Sequence, residues 1–269
     1  MLRILILFGL VFSGCGVQSQ QLIDPNGKSI EERFLLPKGY KRIFVETGSF
    51  QEYLRSLPLK RYGEKVRYYD GSIKDRDVYV SVVDMEIGKS DLLQCADAII
   101  RLKAEYLYEQ KRFDEIGFHI TNGMYVPFKK FTEGYRVRVS NNRTEWIRTE
   151  RKGRDRAVFD EYLRFIYTYA GTLSLSRELR PVEDEDIDIG DIYIIGGSPG
   201  HAVIIVDMAE DERTKEKIFL LAQSYMPAQE IQILKSFEHI SPWYIHRKNS
   251  DLITPEWEFK KGSIKRFYW

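Results

Sequence analysis

Hydrophobic positions bunch into short runs in one stretch of the chain, residues 190–223, and recur at helical spacing in another, residues 90–110. In the first, Gly190 and Asp191 open an apolar run at 192–195 (IYII). A turn rich in glycine, with Pro199, fills 196–200. His201 then opens a second run, 202–206 (AVIIV). Charge dominates 210–217, and a third run, 218–222 (IFLLA), leads to Gln223. Short β-branched runs bounded by Gly, Pro and charge predict buried strands. Three in succession predict an antiparallel meander, with His201 where its second strand begins. If the connecting loop is symmetric about Glu212, His201 lies opposite Gln223, and facing or diagonal positions on adjacent antiparallel strands are expected to bring the two side chains together.

In the second stretch, Leu92, Cys95, Ala96, Ile99, Leu102 and Tyr106 make one apolar stripe at helical spacing. Ser90 can cap such a helix and Asp91 suits the positive end of its dipole. On that start, Cys95 lies more than a turn inside the helix, where the dipole's influence fades; a start near Leu93 would bring it to the helix mouth. Residues 157–171 predict a second helix ending near Gly171. A shorter one at 49–57 is capped by Ser49 and stopped before Pro58. Strands are expected at 40–46, 78–83, 118–120, 135–139 and 230–234. Residues 30–39 read as irregular, 122–134 as a Gly- and Pro-containing connection, and the basic segment around Trp146 as loop. Aromatics in the tail, at 241–244 (SPWY) and 254–259 (TPEWEF), are expected to pack on the body. No repeat or shift in composition divides the chain. The expectation is one α+β domain over residues 30–269, an antiparallel sheet with the Cys95 helix packed on one face.

The N-terminus changes the picture. Arg3 precedes an apolar run from Ile4 to Phe12, followed by Ser13, Gly14 and Cys15. The run is too short to span a bilayer and has the form of a secretory signal. It resembles a bacterial lipoprotein signal over residues 1–15, in which cleavage precedes the cysteine and the thiol receives a diacylglycerol. The alternative is an ordinary signal with an incidental cysteine. Residues 16–29 then read as a tether, and the protein as anchored to a membrane through Cys15 rather than spanning it. The implied place is the bacterial cell envelope, periplasmic or surface-exposed. With Cys15 lipidated, Cys95 is a single free thiol, which is either buried or used. Charge excludes another class of partner. With 41 basic and 40 acidic side chains the chain carries a net +1, too little to draw nucleic acid by bulk attraction.

Candidate chemistry converges on Cys95, His201 and Gln223. A thiol nucleophile needs a base within hydrogen-bond reach and a polar group that holds the imidazole in the useful tautomer. A cysteine on an apolar stripe is equally at home in a core. Asp207, on the His201 strand, rivals Gln223 as the orienting group but is expected to end that strand. No H-E-x-x-H, cysteine pair or phosphate-binding glycine loop is present, and His239 and His246 are too loosely spaced for a metal site. No cofactor is expected.

The order Cys, His, polar residue resembles the papain-like thiol hydrolases, especially the NlpC/P60 and CHAP cell-wall branch. The stretches that carry the likeness are QCADAIIRL at 94–102, GDIYII at 190–195, PGHAVIIVD at 199–207 and LLAQS at 220–224. The resemblance implies a papain-like outline and amide hydrolysis, with cell-wall peptides as substrate. Nearly the whole chain also resembles a family of bacterial lipoproteins, domain of unknown function 4846, through DLLQCADAIIRLKAEYLY, GGSPGHAVIIVDMA and FLLAQSYMPAQ. That likeness implies no activity. Two functions therefore stand: a lipid-anchored thiol hydrolase, or a non-catalytic envelope lipoprotein that binds glycan or a protein partner.

Overall fold

A computed structural model of the chain describes residues 21–269. The meander forms as strands Ile192–Ile195, His201–Asp211 and Lys217–Gln223, paired antiparallel. The middle strand is longer than its apolar run. Residues 201–209 are all buried, because elements cover both faces. Among the described residues, nine strands make one sheet. Its order is Tyr79–Val82, Gln232–Leu234, Lys217–Gln223, His201–Asp211, Ile192–Ile195, Ile264–Arg266 and Arg180–Pro181. Tyr40–Arg42 pairs with the far half of the His201 strand, and Tyr244–Ile245 with the start of the Gln223 strand. The fold class is α+β with an open antiparallel sheet.

Helix Cys95–Glu109 packs on the His201 strand and carries most of its own residues into the core. Its start differs from the expected cap at Ser90. Residues 90–94 are held in a tight non-helical turn instead. Leu92 N–H bonds Ser90 O and Gln94 N–H bonds Leu92 O, each at 2.8 Å. Tertiary partners claim the same segment: Ala228 N–H donates to Asp91 Oδ1 at 2.7 Å, and the Ser224 hydroxyl donates to Leu93 O at 3.0 Å. The helix therefore begins at Cys95, after Gln94.

Helix Arg156–Tyr169 is capped by Asp155, whose carboxylate accepts the N–H groups of Ala157 and Val158. A further helix, Thr172–Glu178, follows the expected stop at Gly171. The basic segment around Trp146 is a strand, Arg143–Arg148, paired with Tyr135–Ser140. Asn141 and Asn142 both have positive φ and make its two-residue turn. Residues 122–134 hold strand Tyr125–Pro127 and helix Phe128–Thr132, and residues 30–39 hold helix Ile30–Arg33.

The described part of the expected tether lies against the body. Leu35 N–H donates to Leu22 O at 2.9 Å, Leu59 N–H to Lys28 O at 2.8 Å, and Ile23 bridges Phe34. Cys15 and the signal-like segment lie outside the described residues. In the tail, Trp243 and Phe259 are fully buried.

Candidate active site

His201 and Gln223 meet, though not as direct opposites. Near the loop the two strands pair Leu220 with Asp207; past a bulge they pair Leu221 with Ile205 and Ala222 with Ile204. One step further puts Gln223 opposite Val203 and diagonal to His201, on the same face. The loop is centred nearer the C-terminus than Glu212, and the bulge shifts the register again. His201 Nε2 lies 2.8 Å from Gln223 Oε1. The amide nitrogen of Gln223 donates to Glu256 Oε2 at 2.7 Å.

That second contact decides the chemistry of the first. A carboxylate only accepts, so the end of the amide facing Glu256 is its NH2. Gln223 Oε1 then faces His201 and accepts the Nε2 proton. Burial lowers the His201 pKa to about 4, so the ring is neutral at pH 7 and carries one proton. Nδ1 is thus the unprotonated nitrogen. It is buried and has no hydrogen-bond partner. The ring is enclosed by Tyr225 at 4.7 Å, Trp257 at 5.3 Å and Phe259 at 5.8 Å between centroids.

Cys95 occupies the first position of its helix, where backbone N–H groups have no partner within the helix. Its sulfur takes N–H contacts from Ala96, from its own residue and from Ala202, the neighbour of His201. The helix mouth and the start of the His201 strand are therefore adjoining. The thiol does not hydrogen-bond Nδ1 in this closed arrangement. Burial, then Asp97, push the thiol up to about 11 against the pull of those N–H groups. Asp97 is itself buried, which raises its carboxyl to about 8; its Oδ2 accepts Gln94 N–H at 3.1 Å and its Oδ1 has no partner. Cysteine and histidine rest neutral, with Cys95 only 6% exposed and His201 fully buried.

Asp207 is not an orienting group. It lies inside the His201 strand, fully buried, and binds Arg42 at 2.8 Å and Arg55 at 2.7 Å. Sequence reasoning missed Glu256 and its buried partner Lys74, 2.7 Å away. Glu256 sits in the TPEWEF turn, noted for its aromatics, between Pro255 and Trp257, and an acidic residue beside an aromatic in a turn was the available signal. A groove of about 810 Å3 between the Cys95 helix and helix Arg156–Tyr169, lined by Arg101, Glu105, Arg156 and Tyr167, does not reach Cys95 or His201. Among the described residues, no group of three His, Cys, Asp or Glu converges to hold a metal ion.

These features define an α+β domain in which a helix-opening cysteine adjoins a histidine–glutamine pair on an antiparallel sheet. The chain belongs to the family described as Domain of unknown function (4846), whose model matches residues 30–266. No curated protein and no solved structure matches it.

Proposed function

We propose that the protein is a thiol hydrolase of amide bonds, papain-like in outline and anchored in the bacterial envelope through a lipid on Cys15. The observation that carries this reading is the free Nδ1 of His201. Gln223 holds the ring proton on Nε2 at 2.8 Å, which leaves a base aimed away from its orienting group. Cys95 supplies the nucleophile from the adjoining helix mouth.

The reaction follows from these roles. Nδ1 takes the thiol proton as sulfur bonds to the carbonyl carbon of the amide. The oxyanion that forms is met by N–H groups of the first helical turn, which have no partner within the helix. The imidazolium returns the proton to the amide nitrogen, the C–N bond breaks and the amine leaves. Water, deprotonated by the same Nδ1, attacks the thioester; sulfur leaves and recovers a proton, and the acid is released. Cell-wall peptides are the substrate class, on family likeness and compartment. Substrate must part the cover over the site, because the closed pair is neutral and sealed.

That sealing favours a second reading, a non-catalytic envelope lipoprotein that binds glycan or a protein. Its thiol would be a core group, raised by burial to about 11. One set of measurements separates the two. For the hydrolase, wild-type protein cleaves peptidoglycan peptides and is alkylated at Cys95 while folded. Cys95→Ala and His201→Ala each then lose turnover by about 10^3-fold or more, without adding when combined. Because Cys95 is buried, Cys95→Ala also costs about 1–2 kcal/mol of stability. No wild-type turnover, with Cys95 protected until unfolding, would establish the binding protein.

A further inference from the structure

We infer that Glu256 is a positioning residue for His201, acting through Gln223. By accepting the Gln223 amide N–H, it sets which end of that amide faces the ring, and so which ring nitrogen keeps the proton. The link to catalysis rests on the hydrolase reading; the link to the tautomer does not.

The two ends of a glutamine amide are nearly equal in size, so shape alone does not orient it. Turned one way, Gln223 accepts from His201 Nε2 and leaves Nδ1 bare. Turned the other way, it donates to Nε2, and the proton of the neutral ring moves to Nδ1, where it blocks the base. Glu256 removes that freedom, because its Oε2 accepts from Gln223 Nε2 at 2.7 Å and has nothing to donate. This is a second contact behind the base, of the kind that fixes imidazole tautomers in other sites.

Glu256 is itself gripped. Its side chain is 2% exposed and pairs with Lys74, 1% exposed, at 2.7 Å. Arg76 reaches its other oxygen at 3.2 Å. Lys74 donates onward to Gln229 Oε1 at 2.9 Å, and the same oxygen accepts from Gln232 Nε2 at 2.9 Å. The turn that bears Glu256 is stapled by Thr254, whose hydroxyl bonds Trp257 O at 2.8 Å and accepts Trp257 N–H at 3.1 Å. That turn also lays Trp257 against the His201 ring.

Removing Glu256 alone would strand the Lys74 charge in the interior, so the test uses two double variants that bury no lone charge. Lys74→Met/Glu256→Gln replaces the carboxylate with an amide that can donate as well as accept, and Lys74→Met/Glu256→Leu removes the acceptor altogether. Ring nitrogen and proton NMR of histidine-labelled, resting protein at pH 7 reads the tautomer, with the His201 signals assigned by their loss in His201→Ala. The expected result is an Nε2–H ring in the native protein. In both variants the Nδ1–H form appears, because neither offers Gln223 a partner that can only accept. Turnover should fall on the order of 10- to 100-fold in both variants, in kcat more than KM. An unchanged Nε2–H ring in the Leu variant overturns the role of Glu256, whatever the turnover. A shifted tautomer with no turnover in any of the proteins upholds that role and removes the hydrolase instead.

Discussion

Asp97 stands two residues after Cys95 and is the largest electrostatic opponent of its thiolate. Burial raises its carboxyl to about 8, whereas the unfolded chain releases that proton near pH 4. The folded state therefore holds a proton that the unfolded state has lost. The stability tied to it is complete below about pH 4 and is lost as pH rises through about 8. His201 runs the other way. Burial lowers its pKa to about 4, so its contribution is complete above about 6.5 and is lost as pH falls through about 4. Asp97→Asn keeps the acceptor for Gln94 N–H and never charges. It should match the native protein near pH 4 and exceed its stability at pH 9 by an amount on the order of a few kcal/mol. Alkylation of Cys95 should also begin at lower pH. Equal denaturation midpoints at pH 9 for variant and native protein would remove Asp97 from this account.

The next scale up is the strand that begins with His201, and its placement depends on what flanks it. Gly200 lets the turn before it close on the Thr172 helix. A Cβ there would fall on the Thr172 hydroxyl and lie 2.6 and 2.7 Å from the carbonyls of Gly197 and Ile195. Gly200→Ala should destabilise the fold by about 1–3 kcal/mol and loosen the His201–Gln223 contact. Thermal melts and the His201 ring signals test this, and a native melting temperature would show that the turn yields. Further along the strand, the bulge across Leu220 and Leu221 has a larger consequence. Without it, the register set by Leu220 and Asp207 would place Gln223 opposite Ile204, on the face away from His201. Asp207 adjoins the bulge, and its paired arginines, Arg42 and Arg55, anchor it there.

Across the whole molecule, the site is a junction of distant segments. Cys95, His201, Gln223, Glu256 and Lys74 come from five parts of the chain and meet where the helix mouth abuts the sheet. Residues 21–28 belong to this body as well. On the lipid-anchored reading, only residues 16–20 separate Cys15 from it, a reach of at most about 22 Å from Cys15 to residue 21. The anchored domain would then sit close to the bilayer instead of on a long tether. Cys15→Ala should leave unprocessed precursor or release protein into the aqueous phase on detergent partitioning. Native processing and partitioning of that variant would show that Cys15 carries no lipid.

Local pattern was enough for the meander, the Cys95 helix and the short Ser49-capped helix, because apolar runs and caps act over a few residues. Order and spacing singled out Cys95, His201 and Gln223 as candidates, and the structure brings the last two into contact. Local pattern hid the strand at Arg143–Arg148, whose mixed residues are only partly buried and whose signal was two asparagines at its turn. It also misplaced the start of the Cys95 helix. Ser90 is a sound cap by itself, but Ser224 and Ala228, more than 130 residues away, take the groups a longer helix would need. Only the tertiary structure decided the face of Gln223, since one bulged residue reverses every side chain beyond it. It alone decided that Glu256 stands behind Gln223, and that burial leaves cysteine and histidine neutral. Those outcomes depend on desolvation and on partners remote in sequence, which no local run of residues encodes.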